Sequence, residues 1–151
     1  MDASLDNFIH RLPVMAGLDE AALQFLGGLA GAEQYPAGGV IVREGERGDR
    51  VYFVGTGRVR VVKEPAGGAV VQLAEFGPGD FFGEMSLVES VVRSASVIAT
   101  EPTRVFTLKS LDFYKLYRQR PDQYGIVVLN IARDLARRLR QLDEHFCHVA
   151  H

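Results

Sequence analysis

Cysteine is nearly missing from this chain. Cys147 is the single one in 151 residues, which excludes an internal disulfide and points to a reducing compartment, with the cytoplasm as the default expectation. Long apolar runs are missing as well: no stretch approaches the ~20 residues that a membrane span requires. The N-terminal "MDASLDNFIHRLPVM" has early acids and no apolar core, so no secretion signal is visible. Charge of one sign is also scarce. Lys and Arg total 17 against 19 Asp and Glu, for a formal net charge of −2, without the basic surface by which nucleic-acid binders are recognised. Direct binding to nucleic acid is not expected, and any anion must be caught locally. No Ser-His-Asp set, phosphate-binding P-loop or pair of catalytic carboxylates can be assembled, so no enzymatic activity and no cofactor are expected. His145, Cys147, His148 and His151 crowd the C-terminus, but a metal centre needs three or four converging ligands and chain termini are usually solvated. No metal site is assigned there.

What is present describes a folded, soluble domain, 47% hydrophobic and 24% charged. The length suits one module with a full hydrophobic core. Residues 1–34 read as helical: Leu5, Phe8, Ile9 and Leu12 recur at helical intervals before Pro13. A second helix is expected from Asp19 as N-cap to a stop at Gly27-Gly28. Residues 35–109 change texture to short β-rich runs such as "VIVRE", "RVYFVGTG", "RVRVV" and "TRVFTLK", broken by Gly, Pro and Asp every 8 to 12 residues or so. In "RVRVV" strict alternation puts Val59 and Val61 on one face and Arg58 and Arg60 on the other. The expected fold is mainly β, an antiparallel β-roll of jelly-roll type. Residues 110–151 return to helix, with Asp112 as a cap and Pro121 at the start of a long final helix. Along that helix Val128, Ala132, Leu135, Leu139, Leu142, Phe146 and Val149 make one apolar stripe, which either packs on the β body or pairs with a second copy. The nearby Arg133, Arg137 and Arg140, interleaved with acids, read as a solvated helix face.

Two glycine-punctuated segments carry the chemistry. In "IVREGERGDRVYFVGTG", Gly45 and Gly48 frame a tight turn. In "FGEMSLVESVVRSASVIA", Gly83 lets the backbone approach a ligand and Glu84 opens what looks like one helical turn, whose free amides suit an anion. Downstream, Arg93 sits beside the small Ser94 and Ala95, and a guanidinium fork next to bare amides suits a phosphate. A carboxylate in the same pocket repels phosphate and accepts instead from hydroxyls, such as those of ribose. Spacing alone leaves two readings of equal weight: a ribose-phosphate cradle, or a Glu84–Arg93 salt bridge on the barrel's edge.

Together the two segments resemble the two signatures of cyclic nucleotide-binding domains, the family of catabolite-activator-type regulators, cyclic-AMP-dependent kinase regulatory subunits and cyclic-nucleotide-gated channels. The resemblance spans essentially the whole chain. It implies a β-roll with the ligand inside and the long C-terminal helix as a lid. By resemblance, Gly83 and Glu84 take the ribose 2′-hydroxyl, the turn amides of Met85, Ser86 and Leu87 approach the ligand, and Arg93, Ser94 and Ala95 grip the cyclic phosphate. Val61 and Leu73 line the base, Arg138 comes near the ribose, and Leu142-Asp143 near the purine. That last pair is hydroxylic in the activators, and Val91-Val92 stands where many members place Gly or Pro; both are departures. The fold family's haem variant needs a histidine near the pocket, and residues 35–109 contain none.

The expectation is a stand-alone regulatory module for cAMP ahead of cGMP, signalling through its last helix to a protein effector, with homodimerisation through that helix as an open possibility. The DNA-reading helices of the activators are not expected within this chain. The alternatives are a ligand-free β-roll scaffold and a receptor for another second messenger such as a cyclic dinucleotide.

Overall fold

The computed structural model describes residues 8–65, 67–87 and 92–150, with side chains to Glu144. Leu5, Val91 and the side chains of Phe146, Val149 and the terminal Cys/His group therefore lie outside the described residues. Residues 8–11 are helical (α1), and a 3₁₀ turn at Pro13–Met15 follows. Helix α2 spans Glu20–Leu29, where the Asp19 carboxylate accepts from the Ala22 amide, the side-chain cap expected of an aspartate at that position. It runs through Gly27 and Gly28, the expected stop, to a C-cap at Ala30.

Among the described residues eight strands follow: β1 Gly31–Tyr35, β2 Val40–Val42, β3 Arg50–Thr56, β4 Val59–Lys63, β5 Val71–Phe76, β6 Phe81–Phe82, β7 Ser96–Ala99 and β8 Thr103–Lys109. They form two antiparallel four-stranded sheets, in the orders β1-β8-β3-β6 and β2-β7-β4-β5, the β-roll expected from the sequence. Strand β1 begins ahead of the Tyr35 boundary expected for the β region. Its sequence "GAEQY" has little strand character, and its pairing with β8, Gly31 opposite Thr107 through Tyr35 opposite Thr103, makes it a strand.

Strand β3 is buried on both faces, and so reads as the near-continuous apolar run "VYFV". Val51 and Phe53 point into a core shared with the helices, among Leu26, Phe81, Phe106, Leu108, Phe113, Leu116, Val127 and Ile131. Tyr52 and Val54 point into a second core between the sheets, with Val42, Val59, Phe82, Val97 and Val105. The two residues of β6 divide in the same way, Phe81 to the helical side and Phe82 to the inter-sheet side. In β4 the expected alternation holds from Val59 to Val61 and then breaks. Val61 pairs with Ala74 and Val62 with Gln72, so Leu73 sits in a bulge.

Helix α3 spans Ser110–Gln119, and α4 starts at Pro121 and runs to Ala150. Asp112 stands at the third helical position of α3 and accepts from the Lys109 amide at 2.8 Å, satisfying a donor at the helix start. Helix α4 packs through Gln123, Val127 and Ile131, and the apolar stripe read from the sequence only adjoins that face. Leu135 reaches the core, whereas Val128, Leu139 and Leu142 are 40%, 62% and 53% exposed. No helix among the described residues is long and apolar enough to cross a membrane.

Candidate functional site

Strand β6 ends in Phe82, and the chain then turns sharply at Gly83, with φ of +83°. A side chain is strained there on two counts: the left-handed backbone, and a β-carbon that would lie 3.0 Å from the Arg50 carbonyl oxygen and 2.9 Å from Arg93 Nη1. The reversal delivers Glu84 to the head of a 3₁₀ turn, Glu84–Leu87, closed by the Ser86 amide donating to the Gly83 carbonyl at 3.2 Å.

Arg93 returns opposite that turn. Its Nη2 donates to the Arg50 carbonyl at 3.0 Å and Nη1 to the Gly83 carbonyl at 3.4 Å, and its Cζ lies 6.0 Å from the centre of the Tyr52 ring. The other glycine segment explains how it fits. Gly45, at φ +90°, donates its amide to the Arg93 carbonyl at 2.9 Å, and the Arg93 amide donates to the Glu46 carbonyl at 2.7 Å. A β-carbon on Gly48 would overlap the Arg93 guanidinium itself. The upstream turn is thus the seat of this arginine. Among the described residues no ion pair joins Glu84 to Arg93. Both instead line one cavity of about 340 Å³, which weighs against the edge salt bridge.

That cavity has a polar side and an apolar side. Gly83, Glu84, Met85, Arg93, Ser94 and Ala95 form the polar side, and Val42, Val61, Ala74, Phe76, Phe82 and Val97 the apolar one. Phe76 stacks on Phe82 with the planes 2° apart and centroids at 6.4 Å, and Phe82 stacks on Tyr52 at 5.0 Å. Arg138 of α4 joins the two sides. Its guanidinium carbon lies 4.6 Å from the Phe76 ring centre and 4.4 Å from that of Phe81. Its Nη2 donates to the Phe81 carbonyl at 2.8 Å, and Nε pairs with Asp134 at 2.7 Å. Asp134 stands one helical turn earlier on α4 and is 17% exposed. The clasp joins the last helix to the strand that feeds Gly83 and Glu84.

Of the expected site residues, eight line this cavity: Val61, Gly83, Glu84, Met85, Arg93, Ser94, Ala95 and Arg138. Leu73 does not. In its bulge it is 52% exposed, and Ala74, opposite Val61, takes its place on the wall. Ser86 is buried with its amide already spent on Gly83, and Leu87 packs against the helical core, so neither side chain faces the cavity. Leu142 and Asp143 are exposed and away from it. Val42, Ala74, Phe76, Phe82, Val97 and Asp134 escaped the sequence reading. Val97 stands opposite Val61 through the β4–β7 pairing, so it, like Phe76, is brought in only by the fold.

Comparison with known proteins matches this geometry. Residues 32–120 match the profile of the cyclic nucleotide-binding domain. The cyclic AMP receptor protein of Thermus thermophilus is 42% identical over 72% of this chain, and the chain spans only 49% of that relative. The crystal structure of the Thermus thermophilus catabolite activator protein superposes with a TM-score of 0.75 at 36% identity, over 91% of this chain and 63% of that one. A cyclic nucleotide-binding domain from Methylobacillus flagellatus shares the fold, with a TM-score of 0.82 at 24% identity over 90% of this chain and 80% of its own. The chain belongs to the cyclic nucleotide-binding domain family.

Proposed function

We propose that this protein is a cytoplasmic, non-enzymatic receptor for a cyclic mononucleotide, cAMP ahead of cGMP, and that occupancy is passed on by α4 to a protein effector. The observation that carries this reading is the placement of Glu84 and Arg93 on one polar rim without pairing, facing an apolar wall. A cyclic phosphate is the anion that an Arg93 fork takes. A ribose hydroxyl is the donor that a carboxylate wants, and a purine is the flat apolar body that fits among Val61, Ala74 and Phe76. The order of the two nucleotides rests on the Thermus receptor, which is named for cyclic AMP. A cavity of about 340 Å³ suits one nucleotide better than a cyclic dinucleotide.

Transmission follows from the Arg138 clasp. A ligand shifts the position of α4 only by binding one arrangement more tightly than another. The strand that presents Gly83 and Glu84 also presents the carbonyl that holds Arg138, so filling the cavity acts on the seat of the helix. The stripe of Val128, Ala132, Leu139 and Leu142, exposed on one flank of α4, is where we place a second copy of the chain.

Calorimetry with cAMP, cGMP and cyclic dinucleotides tests the reading. Binding of a cyclic mononucleotide is expected, with Arg93→Ala losing ~2–5 kcal/mol, the range for removing one partner of a desolvated charge pair, and Glu84→Ala losing the same or less. Near-wild-type affinity in Arg93→Ala removes the phosphate role. A panel without binding, and without a thermal shift at millimolar nucleotide, leaves the β-roll as a ligand-free scaffold.

A further inference from the structure

A second recess, larger than the cavity just described, lies along another face of α4. On the opposite side of the Arg138 clasp, α4, the 3₁₀ turn at Pro13–Met15 and the turn before β6 enclose a groove of about 530 Å³. Arg133, Arg137 and Arg140 project into it from α4. Spacings of four and three residues put them on one helix face, spread over roughly 10 Å at about 1.5 Å per residue. They occupy the flank of α4 away from the exposed apolar stripe, so the two surfaces are separate.

The walls of the groove are already rigid. Asn130 donates from Nδ2 to the carbonyls of Val14 at 2.9 Å and Ala16 at 2.8 Å, pinning the 3₁₀ turn to the helix. Across the groove the Gly79 amide donates to the Val54 carbonyl and the Val54 amide to the Asp80 carbonyl, each at 2.9 Å. The two acids that line the groove are engaged by the protein itself: Asp80 accepts from the Gly77 amide at 2.9 Å, and Asp134 is held between Arg137 and Arg138. Among the described residues, neither Arg133 nor Arg140 has a carboxylate within ion-pairing distance. Three guanidinium groups thus share a preformed groove in a chain whose net charge is −2.

We propose that this groove is a docking site for an acidic peptide segment of a partner protein, lying extended along α4 between Arg133 and Arg140. In an extended peptide, every second side chain falls about 6.7 Å along the same face, close to the ~6 Å step from Arg133 to Arg137. Arg forks take carboxylates in bidentate fashion, and rigid walls cut the ordering cost of binding. A short acidic segment fits better than nucleic acid, because the overall negative charge repels a long polyanion that the groove cannot cover. The inference does not depend on the nucleotide reading, since neither Arg133 nor Arg140 lines the nucleotide cavity.

The test is fluorescence anisotropy with a labelled peptide in which Asp or Glu alternates with small residues, alongside an uncharged peptide of the same length and a single-stranded oligonucleotide of matched charge. Wild-type protein is expected to bind the acidic peptide alone, weakly, at about 100 µM, because exposed pairs each contribute little, and less as salt is raised. Arg133→Glu/Arg140→Glu is expected to weaken that binding by at least about tenfold, with Arg133→Gln/Arg140→Gln in between. Unchanged thermal melting of both variants shows that the fold survives. Absence of peptide binding by the wild type overturns the proposal, as does full binding by the charge-reversed variant. Tighter binding of the oligonucleotide than of the peptide also overturns it and assigns the groove to nucleic acid.

Discussion

Arg93 shows how much of a side chain's placement is made by its neighbours. An arginine in that sequence position has many rotamers, and here the choice is narrowed by carbonyls of Arg50 and Gly83 and by the space left at Gly48. Gly48 does not need its glycine for backbone reasons, since its φ is not positive. Its missing side chain is what matters. Gly48→Ala is therefore expected to leave the strands intact and to displace the guanidinium, weakening cyclic-nucleotide binding by at least about tenfold, or ~1.4 kcal/mol. Titration calorimetry beside a thermal melt checks this. Wild-type affinity in a folded Gly48→Ala variant contradicts the seat assigned to Arg93. Glu84, Arg93 and their glycines were legible as residues because few chemistries need that combination. Their division of labour was not, since Gly48 and Arg93 stand far apart in the chain and meet only in the fold.

Among the elements, α4 carries three distinct strips. Val127 and Ile131 bury, Val128, Leu139 and Leu142 are exposed and apolar, and Arg133, Arg137 and Arg140 are basic. A period of 3.6 residues identifies the stripes from the sequence but not which one faces the roll. At the start of α4 the corner with α2 is fastened electrostatically. Arg120 pairs with Asp19, and the Asp19 amide donates to the buried Gln123 side chain at 2.9 Å. The Arg120 side chain, and then the Ala22 amide, hold the Asp19 carboxyl below its ordinary value of 3.8. A depressed carboxylate stabilises the fold above its unfolded pKa, and that contribution disappears as pH falls through the folded value. Asp19→Asn is thus expected to melt below the wild type near neutrality, with the gap closing as pH drops under about 4. Melting curves over that range decide it: a gap of constant size down to about pH 2.5 contradicts a role for the charge.

At the scale of the whole molecule, two cores flank the β1-β8-β3-β6 sheet, one under the helices and one between the sheets, and the cavity lined by Glu84 and Arg93 opens from the second. Strand β6 links the two, with Phe81 in the helical core and Phe82 on the cavity wall. The exposed apolar strip of α4 is expected to bring two chains together. A stable pair of this kind buries roughly 800 Å² on each partner, more than scattered surface leucines supply and within reach of a helical strip repeated by symmetry. Sedimentation at micromolar concentration is expected to show a dimer, and Leu139→Glu/Leu142→Glu a monomer. A wild-type monomer at all concentrations rejects the interface.

The sequence by itself determined the helix–roll–helix order, the cap at Asp19 and the start of the last helix at Pro121, and it singled out Gly83, Glu84 and Arg93 as candidates, because local periodicity, turn chemistry and short motifs depend on neighbours in the chain. Alternation in β4 also put Val59 and Val61 on the inward face, where Val61 lines the cavity. Tertiary structure decided what depends on distant partners. The bulge between Val61 and Val62 turned Leu73 out and Ala74 in. Pairing with β8 made β1 a strand, and the packing of α4 chose Val127 and Ile131 over the longer apolar stripe. The aromatic seat of Arg138, between Phe76 and Phe81, likewise joins residues that no local pattern connects. In each case the deciding energy is burial against a surface that exists only once the chain has folded.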